Sequence, residues 1–198
     1  MSTTEAPAPV VCAGLLVADH LCAPIDHLPA PGELVASDEL VLAIGGCAAN
    51  AAMDLARLGV RPLVCGKVGD DVFGRFVTET LAARDIDISG VSVHPHLATS
   101  QTLIVNVKGQ DRRFVHGFGA NRALSVADLD PVLDPAPRVL YVGGYLILPG
   151  LDPHALAERF ARVRRAGTIT MLDVVCAGPG DHLAALAPIL RETDIFLP

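Results

Sequence analysis

Apolar positions along the chain fall into two recurring patterns. Short continuous runs of aliphatic residues alternate with stretches in which apolar residues return every three or four positions, an alternation that predicts an α/β sheet. The run over 10–17 is apolar throughout and predicts a strand buried on both faces. Small residues followed by Leu55 and Leu58 predict a helix ended by Gly59. A strand over 61–68 and a helix over 72–83 come next, with Asp70 and Asp71 placed to cap the free N–H groups of the helix start. Another buried strand is predicted over 138–142. The helix over 153–166 has Asp152 as its cap, Pro153 in its first turn, Gly167 beyond its end, and one apolar face made by Leu156, Phe160 and Val163. A strand over 168–174, a shorter helix from the cap Asp181 to about 188, and a strand over 195–197 complete the alternation.

Two stretches break this rhythm. A strand-like segment over 33–43 follows a Pro/Gly turn at 29–32. The β-rich runs 99–107 and 112–116 are separated by 108–111, which predicts a hairpin with Gly109 in its turn. Without crossover helices these strands predict a small antiparallel sheet beside the main one, built from lid segments at about 22–43 and 98–117. Residues 1–9 read as a disordered tail, and 10–198 as one α/β domain. A parallel strand ordinarily leads into a helix, and none follows 197, so the chain is expected to be cut inside that domain.

Composition narrows the function classes. The chain has 198 residues, 51% of them hydrophobic, with 15 Lys and Arg against 22 Asp and Glu and a formal net charge of -7. That apolar fraction supports a sizeable core, and the acidic balance argues against nucleic acid or an anionic membrane as partner. The longest apolar stretches, 10–18 and 139–148, fall short of the roughly 20 residues a spanning helix needs. The first nine residues hold neither a basic residue nor an apolar run and are not expected to be a signal peptide. Cys12, Cys22, Cys47, Cys65 and Cys176 are scattered, and no histidine spacing matches a metal site. Neither a disulfide framework nor a bound metal is expected, and a reducing cytoplasm is the natural setting.

The strongest local feature is the run from Ile44 through Gly45, Gly46, Cys47, Ala48, Ala49 and Asn50 to Ala52. Two glycines lead from a strand into a helix start, where backbone N–H groups can meet a polar ligand at close approach. Asn50 can donate to and accept from a hydroxyl-bearing ligand. The same residues also fit a plain tight turn with a local cap. Asp19 directly follows the first predicted strand. Ligands of open α/β sheets sit at such strand ends, and a carboxylate there suits a polyol, although a surface turn aspartate fits equally. Asp173 and His116 read more simply as a strand-end hydrogen bonder and one face of the lid hairpin than as catalytic bases.

Taken with Leu58-Gly59 and the run Gly66-Lys67-Val68-Gly69-Asp70-Asp71-Val72-Phe73-Gly74, the double-glycine segment resembles the first signature of the ribokinase-like, PfkB-type carbohydrate kinases. Further matches stand in order: Gly14 and Asp19; Pro31-Gly32-Glu33; Ser100 and Val105-Asn106; Gly119-Ala120-Asn121 and Ser125; Leu172-Asp173; and Ile195 to Pro198. The resemblance implies a three-layer α/β/α fold with a β lid, a homodimer through that lid, and transfer of the γ-phosphate of ATP, with Mg²⁺, to a hydroxyl of a sugar-like substrate. It implies that Asp19, Gly45, Gly46 and Asn50 hold substrate hydroxyls, that Cys47 and Tyr145 line the same pocket, and that Ser100, Asn106 and His116 belong to the lid. Cys47 stands where ribokinases place a lysine, Val17 where they place an asparagine, and Gly143-Gly144-Tyr145 where a glutamate is expected. The pocket is therefore expected to be less polar than one built for ribose. The family's Asn-x-x-Glu and Gly-Ala-Gly-Asp motifs, which supply the magnesium network, anion hole and base, are expected beyond Pro198. The 198 residues alone are thus expected to transfer no phosphate. Two alternatives remain at this stage: an adenosine-type nucleoside kinase with Tyr145 as its stacking ring, and a non-catalytic fragment that binds ligand or dimerises.

Overall fold

The computed structural model describes residues 9–176, 178 and 180–198. Residues 1–8, most of the expected tail, lie outside them. Six strands form one parallel sheet in the order β10-β9-β8-β1-β4-β5: β1 (Val10–Gly14), β4 (Pro62–Gly69), β5 (Asp87–His94), β8 (Val139–Gly143), β9 (Ile169–Asp173) and β10 (Ile195–Leu197). Four more form a second, mixed sheet in the order β3-β2-β6-β7: β2 (Val17–Ile25), β3 (Leu40–Gly45), β6 (Gln101–Val107) and β7 (Arg113–Gly117). The helices are α1 (Cys47–Arg57), α2 (Val72–Ala82), the short α3 (Val126–Leu129), α4 (Pro153–Arg165) and α5 (His182–Leu190). Two apolar clusters flank the parallel sheet. One packs α3, α4 and α5 through Leu129, Leu156, Phe160 and Ile189, and the other packs α1 and α2 through Ala48, Ala52, Val77 and Leu81. The result is a three-layer α/β/α body with a β lid.

The apolar run over 10–17 is not one strand. It breaks at Leu15 and Leu16, where the chain leaves the parallel sheet and enters the lid. Leu15 packs into the cluster beneath α4 and α5, and Leu16 into the one beneath α1 and α2. Both are apolar because the crossing is buried on both sides, so continuous hydrophobicity concealed the break. The buried Asn121 clamps the crossing: its Oδ1 accepts from the Leu16 N–H at 3.3 Å and its Nδ2 donates to the Leu16 carbonyl at 2.9 Å. Gly14 faces β8 so closely that a Cβ would lie 2.1 Å from the Gly143 carbonyl oxygen.

Three further expectations shift. The lid is mixed rather than antiparallel, because β2 and β6 run parallel. The segment 33–43 becomes a strand only from Leu40, after a turn at 31–32 and an irregular stretch in which Leu34 lies open to solvent. Strand β5, rich in Asp, Ser and Gly, was not anticipated; it forms one edge of the parallel sheet, where a continuous apolar run is not required. The remaining predicted elements appear within one or two residues of the expected ends.

The Gly-Asp-Asp run is a structural node. Asp71 caps α2: its Oδ1 accepts from the Gly74 N–H at 2.8 Å and the Thr99 hydroxyl at 2.7 Å, and its Oδ2 from the Thr99 N–H at 2.7 Å. Thr99 in turn accepts from the Gly69 N–H at 2.9 Å. One carboxylate thus ties the end of β4, the start of α2 and the approach to lid strand β6.

Two predictions follow from these clamps. Asn121→Leu removes the partners of both the Leu16 N–H and the Leu16 carbonyl and is expected to cost about 3 kcal/mol, read as a lower urea midpoint; an unchanged midpoint contradicts the clamp. For Asp71, burial penalises the charge, but the bonds from Thr99 and Gly74 outweigh it and hold the carboxyl below the usual range. A depressed folded value means that the stabilisation is complete above the unfolded pKa of about 4 and is lost as pH falls through the folded value. Asp71→Ala is therefore expected to lower stability by about 1 kcal/mol at pH 7 and by progressively less below pH 4 in urea titrations.

Candidate functional site

The double-glycine bend joins lid strand β3 to α1. Gly46, at φ 91°, precedes the first helical residue and carries no capping side chain, so the first-turn N–H groups of α1 are left open. A Cβ on Gly46 would lie 2.3 Å from the Leu15 carbonyl oxygen, which presses the bend against the β1–β2 crossing. The tiny residues Ala48, Ala49 and Ala52 let α1 lie flat on the sheet.

Asp19 stands over this bend, but it is not in a loop after the first strand. It is a lid residue in β2, opposite Ala43 of β3 and Thr102 of β6. A Cβ on Gly45 would lie 2.0 Å from its Oδ2, so only glycine leaves room for the carboxylate there. Burial raises the Asp19 pKa; the Thr102 hydroxyl and the imidazoles of His116 and His20 counter this only in part. A carboxylate has about four acceptor positions. Among the described residues only the Thr102 hydroxyl comes near enough as a donor to lower the Asp19 pKa, which leaves most of its acceptor capacity unfilled.

A second polar group lies at the ends of β8 and β9. The Asp173 carboxylate accepts from the Tyr141 hydroxyl at 3.1 Å and the Gly144 N–H at 3.2 Å. Cys47, the first residue of α1, approaches it: burial first, then Asp173, pushes its thiol up to about 12, so it stays a neutral donor. Burial and then the Asp173 charge hold the Tyr141 hydroxyl above its ordinary range. Asp173 thus behaves as a strand-end hydrogen bonder.

The other candidates separate. Asn50 is exposed one turn into α1 and lines a groove with Leu42, Met53, Arg57 and Phe76; Asp19 is not among the walls of that groove. Tyr145 does not face a cleft. It is 3% exposed, packs in the core beneath α5, and donates its hydroxyl to the Ala185 carbonyl at 3.1 Å. Ser100 is fully buried and donates to the Gly117 carbonyl at 2.8 Å, closing the base of the lid hairpin. Asn106 donates to the Cys22 carbonyl at 2.7 Å, bridging the register shift between β2 and β6. His116, opposite Thr102 in β7, shares a 2.9 Å hydrogen bond with it through Nδ1. Thr102 and Tyr141 escaped the sequence reading. Their positions follow only from strand register, for which the residues 101–107 and 139–143 carry no local signal. Among the described residues no group of three or more His, Cys, Asp or Glu could hold a metal ion.

Comparison with known proteins agrees with this architecture. The chain is 30% identical to mouse ribokinase over 185 residues, 93% of this chain and 54% of that protein. It is 28% identical to the probable fructokinase-7 of Arabidopsis thaliana over 180 residues, 87% of this chain and 50% of that protein. It thus spans about half the length of the curated relatives it matches. Among solved structures, an Arabidopsis thaliana ribokinase complexed with ribose and ATP superimposes with a TM-score of 0.76 at 22% identity, covering 96% of this chain and 60% of that one. A Xylella fastidiosa fructokinase with bound ATP gives 0.76 at 19% identity, covering 96% and 61%. These likenesses agree in the fold. The family described as "pfkB family carbohydrate kinase" matches residues 8–198, and the chain belongs to that family.

Proposed function

We propose that these residues form the sugar-binding and lid portion of an ATP-dependent sugar kinase. The observation that carries this reading is Asp19: a half-buried carboxylate, short of donors, poised over a glycine bend and an uncapped helix start. Two adjacent hydroxyls of a sugar would donate to its oxygens. The open N–H groups of α1 would receive a hydroxyl oxygen, and Cys47 would line the floor. The lid would keep water from the reacting hydroxyl during transfer. Nucleotide and Mg²⁺ would be held by the part of the relatives' length that this chain does not match. With cysteine in place of a lysine at 47, a ketose or deoxy sugar fits better than ribose. The nucleoside reading loses its stacking ring, because Tyr145 lies in the core. Leu40, Phe114 and Val115 are exposed on the outer lid strands, which supports pairing of two lids in a homodimer. Five free thiols suit a reducing cytoplasm.

Calorimetric titration of the 198-residue chain with D-fructose, 2-keto-3-deoxygluconate, D-ribose and adenosine tests the reading. One of the first two is expected to bind most tightly, and Asp19→Asn to weaken that binding about tenfold or more. Gly45→Ala, which drives a methyl into the carboxylate, is expected to do the same while the urea midpoint stays near that of the parent. Binding unaffected by both changes, or confined to adenosine, overturns the proposal. Phosphorylation of any of these sugars by the isolated chain with ATP and Mg²⁺ would show that the transfer machinery is contained within it.

A further inference from the structure

The lid has a second face. His20, next to Asp19 in β2, points the opposite way and meets Phe73 of α2 edge-on at 5.3 Å. Leu42 of β3 stands directly across from His20, so Leu42 and Ile44, two positions on, share that face. Beside them a groove of about 630 Å³ runs between the lid and the helices α1 and α2. Leu42 and Ile44 wall it from β3, Met53 and Arg57 from one face of α1, and Phe76, Thr80 and Arg84 from the far side, recurring every fourth position along α2 and just past its end. Asp19 is not among these walls. The groove is therefore separate from the cleft over the glycine bend, and its volume is that of a small-molecule site.

Its lining divides into an apolar stretch and a charged end. Leu42, Ile44, Met53 and Phe76 offer a continuous apolar surface, and Leu42 is 39% exposed along it. The charges do not cancel. Arg57 is matched by Asp54, whose Oδ1 lies 2.7 Å from its Nη1. Arg84 has no carboxylate partner among the described residues; its Nη1 donates to the Thr80 carbonyl at 2.8 Å. That bond holds the guanidinium against its own helix and leaves its other N–H donors for an incoming anion. Less side-chain freedom is then lost on binding. Eight positions separate Phe76 from Arg84, about 12 Å at the helical rise, which suits a medium-length hydrocarbon chain ending at the guanidinium.

We propose that this groove is a second binding site, for a ligand with an apolar chain and a single carboxylate: the chain lies on Leu42, Ile44, Met53 and Phe76, and the carboxylate pairs with Arg84. One unmatched positive charge suits a monoanion better than a phosphate dianion. Because β3 belongs to the lid and α1 and α2 to the body, the occupant touches both and ties them together on the side away from Asp19. The inference does not depend on the sugar-kinase reading.

Octanoate is the probe. The chain has three methionines; Met53 lines the groove, whereas Met171 lies in β9. In proton–carbon spectra of methyl-labelled methionine at pH 7.5, octanoate is expected to move the Met53 signal saturably and to leave that of Met171 in place. Butanoate, with less chain to bury, and 1-octanol, with no charge, are each expected to bind about tenfold more weakly or worse. Arg84→Gln and Leu42→Asp, both at exposed positions, are each expected to weaken octanoate about tenfold while the urea midpoint stays near that of the parent. Asp19→Asn is expected to leave octanoate affinity unchanged. A Met53 signal that octanoate does not move, an affinity that survives Arg84→Gln or Leu42→Asp, or 1-octanol bound as tightly as octanoate overturns the proposal. Loss of octanoate binding in Asp19→Asn would put the probe in the cleft and overturn it equally.

Discussion

The architecture depends on the backbone of a single residue, Leu16. At Leu16 the chain leaves a parallel sheet buried on both faces and becomes a strand of a second sheet, with no loop between them. Such a crossing exposes a backbone N–H and carbonyl to an apolar interior, where an unpaired polar group is costly. Asn121 answers both with one carboxamide. Because the crossing is tight, the first lid strand begins within three residues of the main sheet. That proximity sets Asp19 over the glycine bend rather than out on a flexible arm.

The site follows from that placement. Glycine at 45 and 46 relieves two separate close approaches: one admits the Asp19 carboxylate, the other admits the Leu15 carbonyl. The consequence is an acceptor in need of donors, facing an α1 start with donors to spare. Under the proposed function a polyhydroxylated molecule would satisfy both, since each of its hydroxyls donates and accepts. The neighbouring cluster of Cys47, Tyr141 and Asp173 differs in kind. Its carboxylate already holds donors from its own chain, the Tyr141 hydroxyl and the Gly144 N–H.

Motif residues therefore divide by what they touch. Asp71 and Thr99 bind only each other and nearby backbone, and they fix how the lid approaches the body. Ser100 and Asn106 likewise serve lid geometry through backbone carbonyls. His116 differs in bonding to a side chain, the Thr102 hydroxyl, which stands opposite Asp19.

Much was legible in the residues themselves. Periodicity located most strands and helices, because burial on one or both faces imposes a repeat on the chain, and the glycine bend announced a close approach. What the sequence by itself determined was the layered α/β class and the neighbourhood of the site. Only the tertiary structure decided that an unbroken apolar run is two strands in two sheets, since hydrophobicity records burial and not which side is buried. Only it sent Tyr145 into the core and brought Thr102 and His116 into line with Asp19. Cross-strand neighbours are set by register between segments some 80 positions apart, and no local pattern encodes that.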